Sequence, residues 1–203
     1  MSRRFPSAAG PPTMGRQSVA GRAPGRPARF VMGVMVALGL FGLSGKGRAG
    51  ELAVGEAAPA FELVDQDGET RRLADYRGQW LVLYFYPKDD TPGCTTEACN
   101  FRDDFSEYQQ AGVTILGVSP DSEESHTKFK SKYELPFTLL SDSDHKVSER
   151  YGVWGKKKMF GKEYEGIHRT TFLIGPDGVI EEVFEKVKPK VHSAEVLAVL
   201  DIP

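Results

Sequence analysis

The chain has only two cysteines among its 203 residues, too few for a disulfide framework or a four-thiolate zinc site. Its four histidines, His126, His145, His168 and His192, show no metal-ligand spacing with one another or with the cysteines. No glycine-rich phosphate loop is present, and Asp142 and Asp144 lack the glycine and distal glutamate of a calcium loop. No metal or other cofactor is therefore expected. The first 50 residues contain no acidic side chain; the first is Glu51. Eight of the 26 basic residues lie in that leader, which leaves 18 basic against 28 acidic in the remainder, a net of −10. An acidic domain without a basic stripe argues against a nucleic-acid partner.

The length gives a prior of one domain with an appendage. Residues 1–29 are rich in Arg, Gly, Pro and Ala and have no hydrophobic periodicity. The run Phe30–Leu43 has fourteen residues without a charge, short of the ~20 needed to span a bilayer. It fits the apolar region of an export signal, with Ala49 as a cleavage point. The expectation is a disordered basic leader at 1–50 and a folded domain at 51–203, exported to a periplasm or held at a membrane if the segment 30–43 is retained. An organellar transit peptide, or a start at Met14 or Met32 with a cytoplasmic product, are the alternatives.

Within the domain, Phe61–Leu73 predicts two short strands around Asp67-Gly68. The apolar runs Trp80–Pro87 and Val113–Pro120 predict buried strands. Ala98, Phe101, Phe105 and Tyr108 are spaced three and four apart, which predicts one amphipathic helix over Thr95–Gly112. Ser122–Tyr133 reads as a polar surface helix capped by Ser122. A short strand at Phe137–Asp142, a short helix ending at Gly152, a hairpin across Pro176-Asp177-Gly178 and a closing helix at Ser193–Leu200 follow. The order implies an α/β fold, a mixed central sheet flanked by helices on both faces. Gly155–Lys162 is expected to be a solvated basic turn, and the pairs Asp89-Asp90 and Asp103-Asp104 caps or solvated faces. His168 is expected to be structural.

Both cysteines fall in the stretch YPKDDTPGCTTEACNF, Tyr86 to Phe101. Pro92 suits the first turn of a helix, where its missing N–H costs nothing. Cys94 then lies at a helix N-terminus, where unpaired N–H groups and the positive end of the macrodipole favour a thiolate. A small buried apolar cysteine is the alternative. Cys99 is five residues on. Ideal helix geometry separates such Cα atoms by roughly 8.6 Å and turns their side chains about 140° apart, whereas a disulfide needs about 4.4–6.8 Å. An intact helix cannot hold that bond. Either the pair never bonds, or the first turns unwind to make it.

Pro87-Lys88-Asp89-Asp90-Thr91-Pro92-Gly93-Cys94 matches the P-x-x-x-T-x-x-C signature of the peroxiredoxins, and TPGCTTEACNFRD resembles their bacterioferritin-comigratory, or PrxQ, subgroup. The similarity runs over most of Gly55–Leu200, including Tyr151–Gly155 and His168–Gly178. Where the subgroup often has Asp after Phe-Leu-Ile, this chain has Gly175. The resemblance implies a thioredoxin-like fold and a thiol peroxidase for hydrogen peroxide and organic hydroperoxides, in a monomer recycled by thioredoxin or a similar dithiol. It implies Cys94 as the peroxidatic and Cys99 as the resolving cysteine. Thr91 would hydrogen-bond peroxide and thiolate, Arg169 would stabilise both, Pro87 would shield the pocket, and Glu97 would orient the arginine. A thioredoxin-like disulfide oxidoreductase would want C-x-x-C, and this chain has C-x-x-x-x-C. An exported binding domain that kept the fold without the chemistry is the remaining reading.

Overall fold

A computed structural model describes residues 52–159 and 161–200; the expected leader lies outside the described residues. The chain enters through β1 (Glu62–Asp65) and β2 (Thr70–Arg72), reversed by a turn in which Gly68 adopts φ +82°. A 3-10 turn at Leu73–Tyr76 leads to β3 (Trp80–Phe85). Then come α1 (Pro92–Asp103), α2 (Phe105–Gln110), β4 (Val113–Ser119), α3 (Glu123–Tyr133), β5 (Thr138–Ser141) and α4 (Lys146–Arg150). The remainder is β6 (Trp154–Met159), β7 (Lys162–Ile167), β8 (Thr170–Ile174), β9 (Ile180–Glu185) and α5 (His192–Leu200).

Among the described residues, seven strands form one mixed sheet in the order β2-β1-β5-β4-β3-β8-β9. The pairs β3–β4 and β4–β5 are parallel and the others antiparallel. Alternation along β3 divides its side chains between two cores. Leu81, Leu83 and Phe85 pack with Phe61, Val147, Tyr151 and Phe172 on one face. Val82, Tyr84 and the adjoining Tyr86 pack with Ala98, Phe101, Tyr108, Phe129 and Val196 on the other. Helices thus cover both faces, as expected, and α1 lies on the second.

Three expectations are corrected. The helix foreseen over Thr95–Gly112 starts earlier, at Pro92, and is broken at Asp104 (φ −92°, ψ 5°). The break lets α2 turn so that the Tyr108 hydroxyl donates to Ser193 O at 2.8 Å and Phe105 meets Phe137. The spacing of apolar residues runs through the break, so periodicity does not reveal it. The basic stretch at 155–162 is not a turn but most of a hairpin, β6–β7, in which Lys156 faces Glu165 and Lys158 faces Glu163. Opposite-charge cross-strand pairs support it without any apolar alternation. The face of α3 is not wholly polar either, since His126 and Phe129 are buried.

The Tyr84 ring is the floor beneath α1. It stacks on Tyr86 at 5.3 Å and lies 5.0 Å from Phe101. It reaches across the neighbouring strand at Gly117, where a Cβ would stand 2.7 Å from the Tyr84 hydroxyl and 2.8 Å from Leu139 Cδ2. Gly117→Ala is therefore expected to cost about 1–3 kcal/mol through overpacking. Urea unfolding should show a lower midpoint at unchanged slope.

Candidate active site

The segment between β3 and α1 turns the chain out of the sheet and starts a helix directly above it. Thr91 is the N-cap in extended conformation (φ −97°, ψ 150°) and Pro92 is the first helical residue. Thr95 N–H donates to Thr91 O at 2.8 Å, the first bond of the helix. Pro92 has no N–H, so the N–H groups of Gly93 and Cys94 have no acceptor within the helix. Cys94 is 2% exposed, with its sulfur at the positive end of α1.

Arg169 comes from the short connection between β7 and β8 and closes the site from the sheet side. Its Nη2 donates to Cys94 Sγ at 3.1 Å and its Nη1 donates to Glu97 Oε2. Glu97 is buried one turn after Cys94, and its Oε1 has no partner among the described groups. Burial pushes the Glu97 carboxyl up to about 7, with the Arg169 charge opposing. Arg169 is itself held charged: burial lowers its affinity for the proton, but Glu97 and Cys94 outweigh that and raise it. One guanidinium thus joins two residues of α1, the use for which a planar fork with several donors is suited.

The structure brings Cys94, Glu97 and Arg169 into contact. Thr91 adjoins them in sequence, and its hydroxyl donates to Lys88 O at 3.0 Å. Pro87, half-buried, stands at the other end of the same loop. Cys99 lies in the same uninterrupted helix, half-buried, and both cysteines are free thiols. Asn100 Nδ2 donates to Pro189 O at 2.8 Å, tying this turn of α1 to the segment before α5.

Beside Arg169 opens a cavity of about 390 Å³, lined by Lys157, His168, Arg169, Thr170, Lys186 and Val187 among others. Lys157 was not singled out from the sequence, beyond its place in a basic stretch. Its Nζ donates to Ile167 O at 2.7 Å, and burial first, then the Arg169 charge, lowers its proton affinity. His168 is exposed at this cavity rather than structural. It lies between β7 and β8, outside either strand, so side-chain alternation does not govern it. Asp89 is not a solvated cap either: it is 6% exposed and accepts hydrogen bonds from Tyr86 and Ser125.

The Glu97 carboxyl gives a pH-dependent signature. An unfolded glutamate loses its proton near 4.5, whereas the folded one keeps it to about 7. The folded state therefore has its full advantage below about 4.5, loses it progressively as pH rises from there to about 7, and loses no more above that. Between pH 5 and pH 8 the wild type should lose on the order of 3 kcal/mol relative to Glu97→Gln. Urea midpoints of both proteins across that range measure it.

The family model described as AhpC/TSA family matches residues 54–183. Peroxiredoxin Bcp of Bacillus subtilis (strain 168) is 54% identical over 149 residues, covering 73% of this chain and 95% of that protein. A solved structure of Xanthomonas campestris bacterioferritin comigratory protein, described for its alkyl peroxide reduction activity, is 43% identical with a TM-score of 0.66, covering 69% of this chain and 89% of its own. A mutant PrxQ from Xylella fastidiosa is 40% identical with a TM-score of 0.70, covering 74% and 96%.

Proposed function

This chain belongs to the AhpC/TSA family, is a thiol peroxidase of thioredoxin-like fold, and we propose that its peroxidatic group is Cys94 and its resolving group Cys99. The observation that carries this reading is the Arg169 Nη2 contact to Cys94 Sγ at 3.1 Å, at the N-terminus of α1. A thiolate at that position attacks one peroxide oxygen in line with the O–O bond. The sulfur takes that oxygen as sulfenic acid, and the other oxygen leaves as water or alcohol once it has gained a proton. Arg169, the free N–H groups of Gly93 and Cys94, and the Thr91 hydroxyl are the donors available to the charge that builds on the oxygens. Pro87 limits the entry of water from the β3 side, and Glu97, accepting from Nη1, holds the guanidinium with Nη2 directed at the sulfur.

The sulfenic acid then condenses with the Cys99 thiol, losing water and forming an S–S bond. The uninterrupted α1 separates the two side chains, so its N-terminal turns unwind for this step. An external dithiol restores both thiols by two exchanges and is itself oxidised to a disulfide. Thioredoxin fits that role, and a monomer suffices because both cysteines belong to one chain. The alkyl peroxide activity of the Xanthomonas protein, together with the cavity beside Arg169, supports organic hydroperoxides as substrates alongside hydrogen peroxide. The basic leader supports export, which N-terminal sequencing of the mature protein tests.

With dithiothreitol as reductant, Cys94→Ser is expected to abolish peroxide consumption. One equivalent of peroxide should remove two hydrogens between Cys94 and Cys99, read by peptide mass spectrometry. A persistent Cys94 sulfenic acid beside a free Cys99 in the wild type would sink the resolving role. Arg169→Lys keeps one charge but cannot serve Cys94 and Glu97 together, and a loss of about 100-fold in the peroxide step is expected. Stopped-flow oxidation of the reduced protein measures it.

A further inference from the structure

The loop that carries Pro87 and Thr91 is anchored at its centre by a buried polar cluster that takes no direct part in the chemistry above. Asp89 Oδ1 accepts from the Tyr86 hydroxyl at 2.7 Å. Its Oδ2 accepts from Ser125 Oγ at 2.8 Å and faces His126 Nδ1 at 2.9 Å. The Asp89 N–H donates to Asp121 Oδ2 at 2.8 Å, and that carboxylate also receives Ser119 Oγ at 2.8 Å. His126 is wholly buried in α3, and its Nε2 lies 3.1 Å from Leu140 O.

A carbonyl oxygen only accepts, so Nε2 carries a hydrogen. Nδ1 faces the Asp89 carboxyl at hydrogen-bond distance. The cluster joins the loop to the ends of β4 and β5 and to the first turns of α3. The next residue, Asp90, adopts φ +53° and is tied to the far end of α3 through Lys132 Nζ at 2.7 Å and the Tyr133 hydroxyl.

We infer that Asp89, clamped by Tyr86, Ser125 and His126, is a positioning residue for the peroxide step. The path is short. Lys88 precedes Asp89, and the Lys88 carbonyl accepts the Thr91 hydroxyl hydrogen at 3.0 Å. Fixing Asp89 fixes that carbonyl, and the carbonyl decides where the remaining lone pairs of Thr91 Oγ1 point. The same clamp holds the N-cap of α1 in place while the turns after it unwind. Cys94 reaches Arg169 by a separate route, through α1 and the β7–β8 connection, so the clamp should govern how peroxide is oriented and not how reactive the sulfur is towards other electrophiles.

This inference rests on the roles proposed for Cys94 and Thr91, and the test separates the two levels. The full chain, reduced with dithiothreitol and freed of it, is mixed with hydrogen peroxide in a stopped-flow instrument. In parallel, alkylation of Cys94 by iodoacetamide is followed by peptide mass spectrometry. Wild type without a peroxide-dependent phase would overturn the roles of Cys94 and Thr91 themselves. Asp89→Ala is expected to lower the second-order rate with peroxide by about tenfold or more, while alkylation of Cys94 stays within about twofold of wild type by the same reasoning. Asp89→Asn should recover most of the loss, since its carbonyl still accepts from Tyr86 and its amide can donate to His126 Nδ1. A wild-type peroxide rate in Asp89→Ala, or a parallel fall in both rates, would overturn the positioning role. Should Asp89→Ala fail to fold, Ser125→Ala decides, because it removes one donor and keeps the buried pair. A peroxide rate lowered about threefold with alkylation unchanged is expected there, and an unchanged peroxide rate would overturn the inference.

Discussion

Arg169 holds two residues of one helix at once, the Cys94 sulfur and the Glu97 carboxylate, and the organisation of the site depends on that double contact. It requires α1 to be wound, since only one turn of helix brings residues three apart onto the same side. It requires the β7–β8 connection to cross beside the helix N-terminus, which the antiparallel placement of β8 against β3 provides. It also requires Glu97 to stay inside, since its Oε2 accepts from Arg169 Nη1 and a buried donor left without an acceptor is costly. Sulfur reactivity, helix integrity and sheet order are thus linked through one guanidinium.

That linkage opposes the second half of the reaction cycle. The Cys94–Cys99 bond proposed above calls for an unwound helix, and unwinding α1 would draw Glu97 away from Arg169 and Ala98 out of its core. On the mechanism proposed above, conversion of Cys94 to its sulfenic acid alters one of the two contacts that Arg169 makes. The wound state then keeps the Glu97 contact while the sulfur contact is changed, at the step when it must open. Reduction restores the thiol and with it both contacts.

Much of this was legible in the sequence because it is carried by local chemistry. Pro92 and the position of Cys94 specify a helix start, and the five-residue interval to Cys99 specifies a bond that helix geometry forbids. The continuous apolar run from Trp80 to Tyr86 marks a buried central strand. What was not legible depends on chain segments far apart. Nothing near Asp89 announces that His126 will lie against it, and nothing in the run Gly155–Lys162 announces that Glu163 and Glu165 will pair with its lysines. The choice of Arg169 among the arginines, and of Glu97 as its partner, came from family resemblance; their contact is set by where β8 joins the sheet. The break at Asp104 escaped because helical spacing counts residues and does not register a change of axis.

That break also limits how far a disturbance travels. Helix formation is cooperative, so loosening one turn weakens the next. If α1 and α2 formed one continuous rod, opening the turns around Cys94 would pull on Phe105 and Tyr108, which sit in the core with Phe137 and beneath Ser193. The interruption at Asp104 ends the cooperative unit at residue 103. On the mechanism proposed above, one short element melts on each turnover while the rest of that face stays packed, so the part that must fail repeatedly is kept separate from the part that must not.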